Sequence, residues 1–145
     1  MDTIRFLMFR RSFDRILKDI KKKEMSYMSE YGLRAVHMGC LLRINQSGKG
    51  MTVTELARES QTDKALISRV IKELMNDGFV TANGNGYNKR YVLTDESKEI
   101  VSDIVGDVGE YMAKARLGIS EEDMQKFYEV LATLTQNISL IANDE

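Results

Sequence analysis

The residues whose types and spacing could do chemistry lie mostly in one short stretch of the chain. Ala65, Ser68, Arg69, Lys72 and Asn76 recur at intervals that put them on one face of an α-helix, with Lys64 at its start. Small side chains at Ala65 and Ser68 would let the helix approach a surface closely. A serine hydroxyl can bond several base edges, an alanine methyl can touch a thymine methyl, and an arginine can read guanine or hold a phosphate. Ser68 and Arg69 are therefore expected at base or groove edges, and Lys64 and Lys72 on phosphates. Thr52 and Thr54, at the start of the preceding helix, offer hydroxyls and free amides to a phosphate. Asn88, Lys89 and Arg90 follow a Gly-rich turn, where a cationic hairpin could enter a minor groove or lie along the backbone. Alternation along that strand means that only some of these three can face a polyanion.

Other chemistry has less material. The sole histidine, His37, stands three residues from the sole cysteine, Cys40. The pair could meet on one helix face and sense metal or oxidant, but carboxylates would have to complete any four-ligand site, and no metal centre is expected. A lone cysteine in an apolar run is more often a small hydrophobe. Gly84 and Gly86 sit in a hairpin and not ahead of a helix, so they make no phosphate loop. Nothing places a base beside a nucleophile. The chain is not expected to be an enzyme or to carry a cofactor.

These residues need a framework, and the sequence spells one out. Thr52 and Glu55 form a capping box that starts a short helix through Ser60. Thr62 or Asp63 caps the next helix, which ends at Gly78. On that helix Ile67, Val70, Ile71 and Leu74 point to a core shared with Leu56, Ala57 and Phe79. Strands are predicted from Phe79 to Ala82 and from Lys89 to Leu93, joined through Asn83, Gly84, Asn85 and Gly86, where positive φ is needed. Helix, tight turn, helix and β-wing in this order present one exposed helix to a DNA major groove.

The flanking segments are helical by periodicity. Phe6, Phe9, Phe13, Ile16, Leu17 and Ile20 stripe a first helix that the lysines at 21–23 are expected to close. A second is predicted from Tyr31 to Asn45, with Leu33, Val36, Cys40 and Ile44 inward. Thr94, Asp95 and Glu96 start a fifth, striped by Val101, Ile104 or Val105, Val108 and Met112. Gly118 breaks it, and Ser120 starts a sixth. There Met124, Phe127, Leu131, Leu134, Ile138 and Ile141 follow the alternating three-four spacing of a coiled-coil seam. With Phe6, Phe9 and Phe13 they are the expected dimerisation residues. Packing within the chain is the alternative reading of that seam.

Composition bounds the class. The 145 residues suit one domain, 43% hydrophobic and 30% charged, and no apolar run reaches a membrane span. No signal peptide is recognised at the N-terminus, and a single cysteine fits a reducing cytoplasm. Net charge is −1, unevenly distributed. Up to Thr94 there are 17 Lys and Arg against 10 Asp and Glu; from Asp95 onward the balance is 4 against 12. The basic part carries the helix-turn-helix, which fits a polyanion partner for that half.

Residues 52–57, the run Lys64, Ala65, Leu66, Ile67, Ser68 and Arg69, then Leu74, Gly78, Phe79 and Val80, and the closing Leu93 and Thr94 together resemble the MarR family of bacterial winged-helix regulators. The resemblance covers essentially the whole chain. It implies a mainly α fold with a small β-hairpin wing, in which 32–94 form the winged helix-turn-helix and 1–31 and 95–145 the dimerisation helices. It also implies a homodimer on near-palindromic double-stranded DNA, often a repressor, with a small-molecule effector of unknown site. Met25, Met28, Met38, Phe9, Phe13, Tyr27 and Tyr31 are candidates to line an effector cleft. The chain departs from the family at the wing, where the common Asp-x-Arg-Ser tip is missing, so Lys89 and Arg90 match it in charge and not in position. The alternative from another class is a winged-helix module that binds protein through Met75, Tyr87 and Tyr91.

Overall fold

The computed structural model describes residues 2–144, apart from the side chains of Tyr27 and Tyr87. Six helices and one hairpin follow in order: α1 (Thr3–Tyr31), α2 (Ala35–Ser47), α3 (Val53–Ser60), α4 (Lys64–Asn76), β1 (Val80–Asn83), β2 (Arg90–Leu93), α5 (Asp95–Ala115) and α6 (Glu121–Asn143). The described residues divide into two compact units, one ending at Val105 and the other beginning at Gly106.

In the first unit the core is built by α2, α3, α4, the hairpin and the first turns of α5. Leu41, Leu56, Ile67, Val70, Ile71, Leu74, Val101 and Ile104 are fully buried. The α3 start is the expected capping box: the Glu55 amide donates to Thr52 Oγ1 at 3.1 Å and the Thr52 amide to Glu55 Oε2 at 3.1 Å. Asp63, not Thr62, caps α4, accepting from the Ala65 amide at 3.0 Å. At its other end Phe79 donates to Leu74 O and Gly78 to Met75 O, with Gly78 at φ +78°. That pattern closes the last turn and reverses the chain into the hairpin.

The antiparallel register pairs Val80 with Leu93 and Asn83 with Arg90. Both strands begin one residue later than the sequence predicts. The Phe79 amide is used to end α4 and its carbonyl accepts from Thr94, while the Lys89 amide closes a 3₁₀ turn onto Gly86. A bridge outside the hairpin joins Met51 to Tyr91, with reciprocal bonds of 3.1 and 2.8 Å. Thr94 Oγ1 donates to Gly78 O at 2.7 Å, and the buried Ser97 hydroxyl donates to Phe79 O, fastening the start of α5 to the end of α4.

Three helix boundaries differ from expectation: the end of α1 and both ends of α2, which closes at Ser47 and not at Asn45. The first helix runs on to Tyr31, so the lysines at 21–23 lie inside it and not at its end. Residues 24–31 contain no breaker; Gly32, at φ +67°, is the first residue that stops the helix, and α2 starts only at Ala35. On α5 it is Ile104 that is buried, while Val105 is exposed. In the second unit Ser120 caps α6, accepting from the Asp123 amide at 3.1 Å, and Arg116 pairs with Glu121. None of the residues of α6 is buried: Met124 and Leu131 are half-buried, and Phe127, Leu134, Ile138 and Ile141 are exposed. On α1, Phe6 is exposed, and Phe9 and Phe13 are half-buried with ring centroids 4.6 Å apart.

Candidate nucleic-acid interface

One side of α4 is committed to the core through Ile67, Val70, Ile71 and Leu74. The other presents Ala65, Arg69, Lys72 and Asn76 to solvent, with Ser68 half-buried at its edge and Lys64 exposed at its start. Among the described groups, neither Lys64, Arg69 nor Lys72 forms a salt bridge. This face is therefore cationic, close to the helix backbone at its two small residues, and uncovered. At the start of α3, Thr54 is exposed, whereas the Thr52 hydroxyl is occupied by the Glu55 amide.

The wing divides its expected contacts. Asn88 and Lys89 are exposed at the turn. Arg90 is half-buried and its guanidinium is engaged within the protein: Nη1 donates to Gly50 O at 2.9 Å and to Glu55 Oε2 at 3.1 Å, and Nη2 to Glu55 Oε1 at 3.0 Å. The Thr52 amide and this fork hold the Glu55 carboxyl below its ordinary range.

A second carboxylate is held in a similar way on α4. Glu73 Oε2 accepts from His37 Nε2 and from Arg34 Nη2, each at 2.6 Å. His37 Nδ1 accepts the Arg34 amide at 3.0 Å, which leaves Nε2 as the protonated nitrogen of a neutral ring. The His37 and Arg34 hydrogen bonds hold the Glu73 carboxyl below its ordinary range. Both acids on the helix-turn-helix pair that face these clamps are thus met by arginines from outside it, Arg34 before α2 and Arg90 on β2. Sequence reading missed both links. Each joins residues 35 or 39 apart, and no local spacing marks them.

His37 is consequently committed to Glu73, and Cys40 is buried, with its thiol raised by desolvation. Among the described residues no group of three or more His, Cys, Asp or Glu could hold a metal ion. The candidate effector residues differ in exposure, and Tyr31 is half-buried. Met28 and Met38 are core residues, Met25 is exposed, Phe9 and Phe13 pair with each other, and the Tyr27 side chain lies outside the described residues. A cavity of about 530 Å³ opens beside Glu24, Met38, Leu42, Arg43 and Glu59. No described helix is long and apolar enough to cross a membrane. Of the residues considered for protein binding, Met75 is exposed, Tyr91 is half-buried, and the Tyr87 side chain lies outside the described residues.

Comparison with known proteins places this geometry. The sequence model of the MarR family matches residues 31–90. No curated protein matches the chain by sequence. Among solved structures, a MarR family transcription regulator superposes with a TM-score of 0.82 at 20% identity, over 99% of this chain and 96% of that one. A MarR protein from Peptoclostridium difficile gives 0.78 at 19% identity, over 90% and 86%. Staphylococcus aureus MarR, in complex with salicylate and kanamycin, gives 0.74 at 18% identity, over 99% and 96%. Residues 31–90 thus match the sequence pattern of the MarR family, and the described chain has the winged helix-turn-helix fold of the solved MarR-family structures on which it superposes.

Proposed function

We propose that this protein is a sequence-specific double-stranded DNA-binding transcription regulator, acting in the cytoplasm as a homodimer and mostly by occupying a promoter. The observation that carries the reading is the free face of α4: Ala65, Arg69 and Lys72 are exposed on a helix whose opposite side is locked into the core. Lys64 and Lys72 hold phosphates, Ser68 and Arg69 read groove edges, and Thr54, Asn88 and Lys89 add backbone contacts. Thr52 contributes by ordering the start of α3.

The dimer is supported by the apolar positions of the terminal helices, since Phe6, Phe127, Leu134, Ile138 and Ile141 are exposed in the single chain. Two recognition helices ~34 Å apart would meet successive major grooves and require a near-palindromic operator. In this reading residues 1–145 act as one MarR-like domain, with 1–31 and 95–145 pairing between copies. The salicylate and kanamycin bound to the Staphylococcus aureus protein support a small-molecule effector that changes the separation of the two recognition helices.

Selection of preferred sites from random duplexes tests the proposal. Recovery of a near-palindrome with half-sites about one helical turn apart is expected, and Arg69→Ala weakens its binding by ~1–3 kcal/mol. Affinity falls steeply with salt as counterions are released. Absent or salt-independent binding with Arg69→Ala silent would instead support a protein-interaction module.

A further inference from the structure

We infer that Arg90 is a positioning residue: it sets the wing against the helix-turn-helix through Glu55 and does not itself contact DNA. This rests on the DNA-binding reading above. A two-stranded hairpin with four residues per strand is marginal by itself, so its angle to the head must come from attachments at its base. Three such attachments converge on β2. The Met51–Tyr91 bridge adds a strand-like pairing, and Gly50 passes so close that an added Cβ would stand 2.7 Å from Tyr91 O and from Val92 Cγ1. Between them the Arg90 fork grips both oxygens of Glu55 and the Gly50 carbonyl.

The fork is planar and bidentate, which fixes direction as well as distance. Glu55 Oε2 also accepts the Thr52 amide, so one carboxylate sets both where α3 begins and how β2 approaches it. With three of its five N–H donors committed at 2.9–3.1 Å, the Arg90 guanidinium is held against Glu55 and Gly50, and swinging out to a phosphate would break these bonds. Lys89, exposed on the turn just before, is left as the wing's cation for that task.

The test uses duplex binding by full-length Glu55→Gln, Arg90→Lys and the double variant, with amide hydrogen exchange on the same proteins. Glutamine still completes a capping box, so Glu55→Gln removes the charged fork while leaving the helix start in place. Both single variants weaken binding roughly fivefold, and the double variant is no worse than either, as expected of partners in one interaction. Exchange accelerates at the Met51 and Tyr91 amides while the Ile71 amide in α4 stays as protected as in wild type. An Arg90 that touched phosphate would behave oppositely. Freed from its acid, it would bind more tightly in Glu55→Gln, and lysine would largely replace it; either result overturns the inference. Should wild-type protein fail to bind duplex at all, the regulator reading falls but the clamp is still judged. Faster Met51 and Tyr91 exchange in both variants supports it, and unchanged exchange refutes it.

Discussion

Substituting alanine at Gly50 measures how tightly the loop before α3 is pressed against the wing. Two costs apply there. Gly50 has φ +85°, where an L-residue costs about 1–2 kcal/mol, and its new Cβ would meet Tyr91 O and Val92 Cγ1 at 2.7 Å. Gly48, two residues earlier, isolates the first cost: its φ is +68°, and a Cβ built there meets nothing within 4 Å. Reduced freedom of the unfolded chain returns about 0.4–1 kcal/mol in either variant. Gly48→Ala is therefore expected to destabilise by ~1 kcal/mol, and Gly50→Ala by ~3 kcal/mol once a forced shift of packed backbone is added. At roughly 2.1 cal/mol/K per residue, the unfolding entropy of 145 residues is about 0.3 kcal/mol/K. The two variants should then lower Tm by about 3 °C and about 10 °C, measured by calorimetry at one fixed protein concentration because association would itself shift Tm. Equal shifts would show that the loop yields freely and that the close approach of Gly50 to β2 carries no energy.

The remaining predictions concern the terminal helices, the acid limb of stability and the cysteine. Leu134→Asp combined with Phe127→Asp should convert a dimer to monomer in sedimentation velocity without loss of helical circular dichroism; persistence of the dimer would remove α6 from the interface. Glu73 has its carboxyl depressed in the folded state, so the unfolded chain binds the proton more readily and stability falls as pH drops. That contribution is whole above the ordinary glutamate value of about 4.3 and is lost as pH falls through the lower folded value. The urea midpoint of wild type should accordingly decline more steeply on acidification than that of Glu73→Gln, and parallel curves would contradict the linkage. Cys40 is buried with a raised thiol, so a disulfide reagent should modify it slowly in native protein and rapidly in denaturant. Fast native modification would mean that α2 opens or that the thiol is reachable.

Much of this protein is legible in local sequence because its elements are begun and ended by local chemistry. The Thr52 and Glu55 capping box, the turn at Gly78 and the alternation of buried and exposed positions on α4 each depend on residues within one or two helical turns. The same locality explains the error at α1: the lysines at 21–23 look like a terminus, yet only Gly32 supplies a backbone conformation that ends the helix.

What the residue string determined by itself is the set of elements, the core-facing side of α4 and the cationic face opposite it. Tertiary structure alone decided which charges remain available to a partner. Arg69 and Arg90 are the same residue type in the same basic stretch, but one is exposed and the other grips Glu55 and Gly50. His37 and Cys40, neighbours on α2, likewise part company, one to Glu73 and the other into the core. The reason is range: caps and periodicity act between near neighbours, whereas an ion pair across 35 residues exists only once the chain has packed.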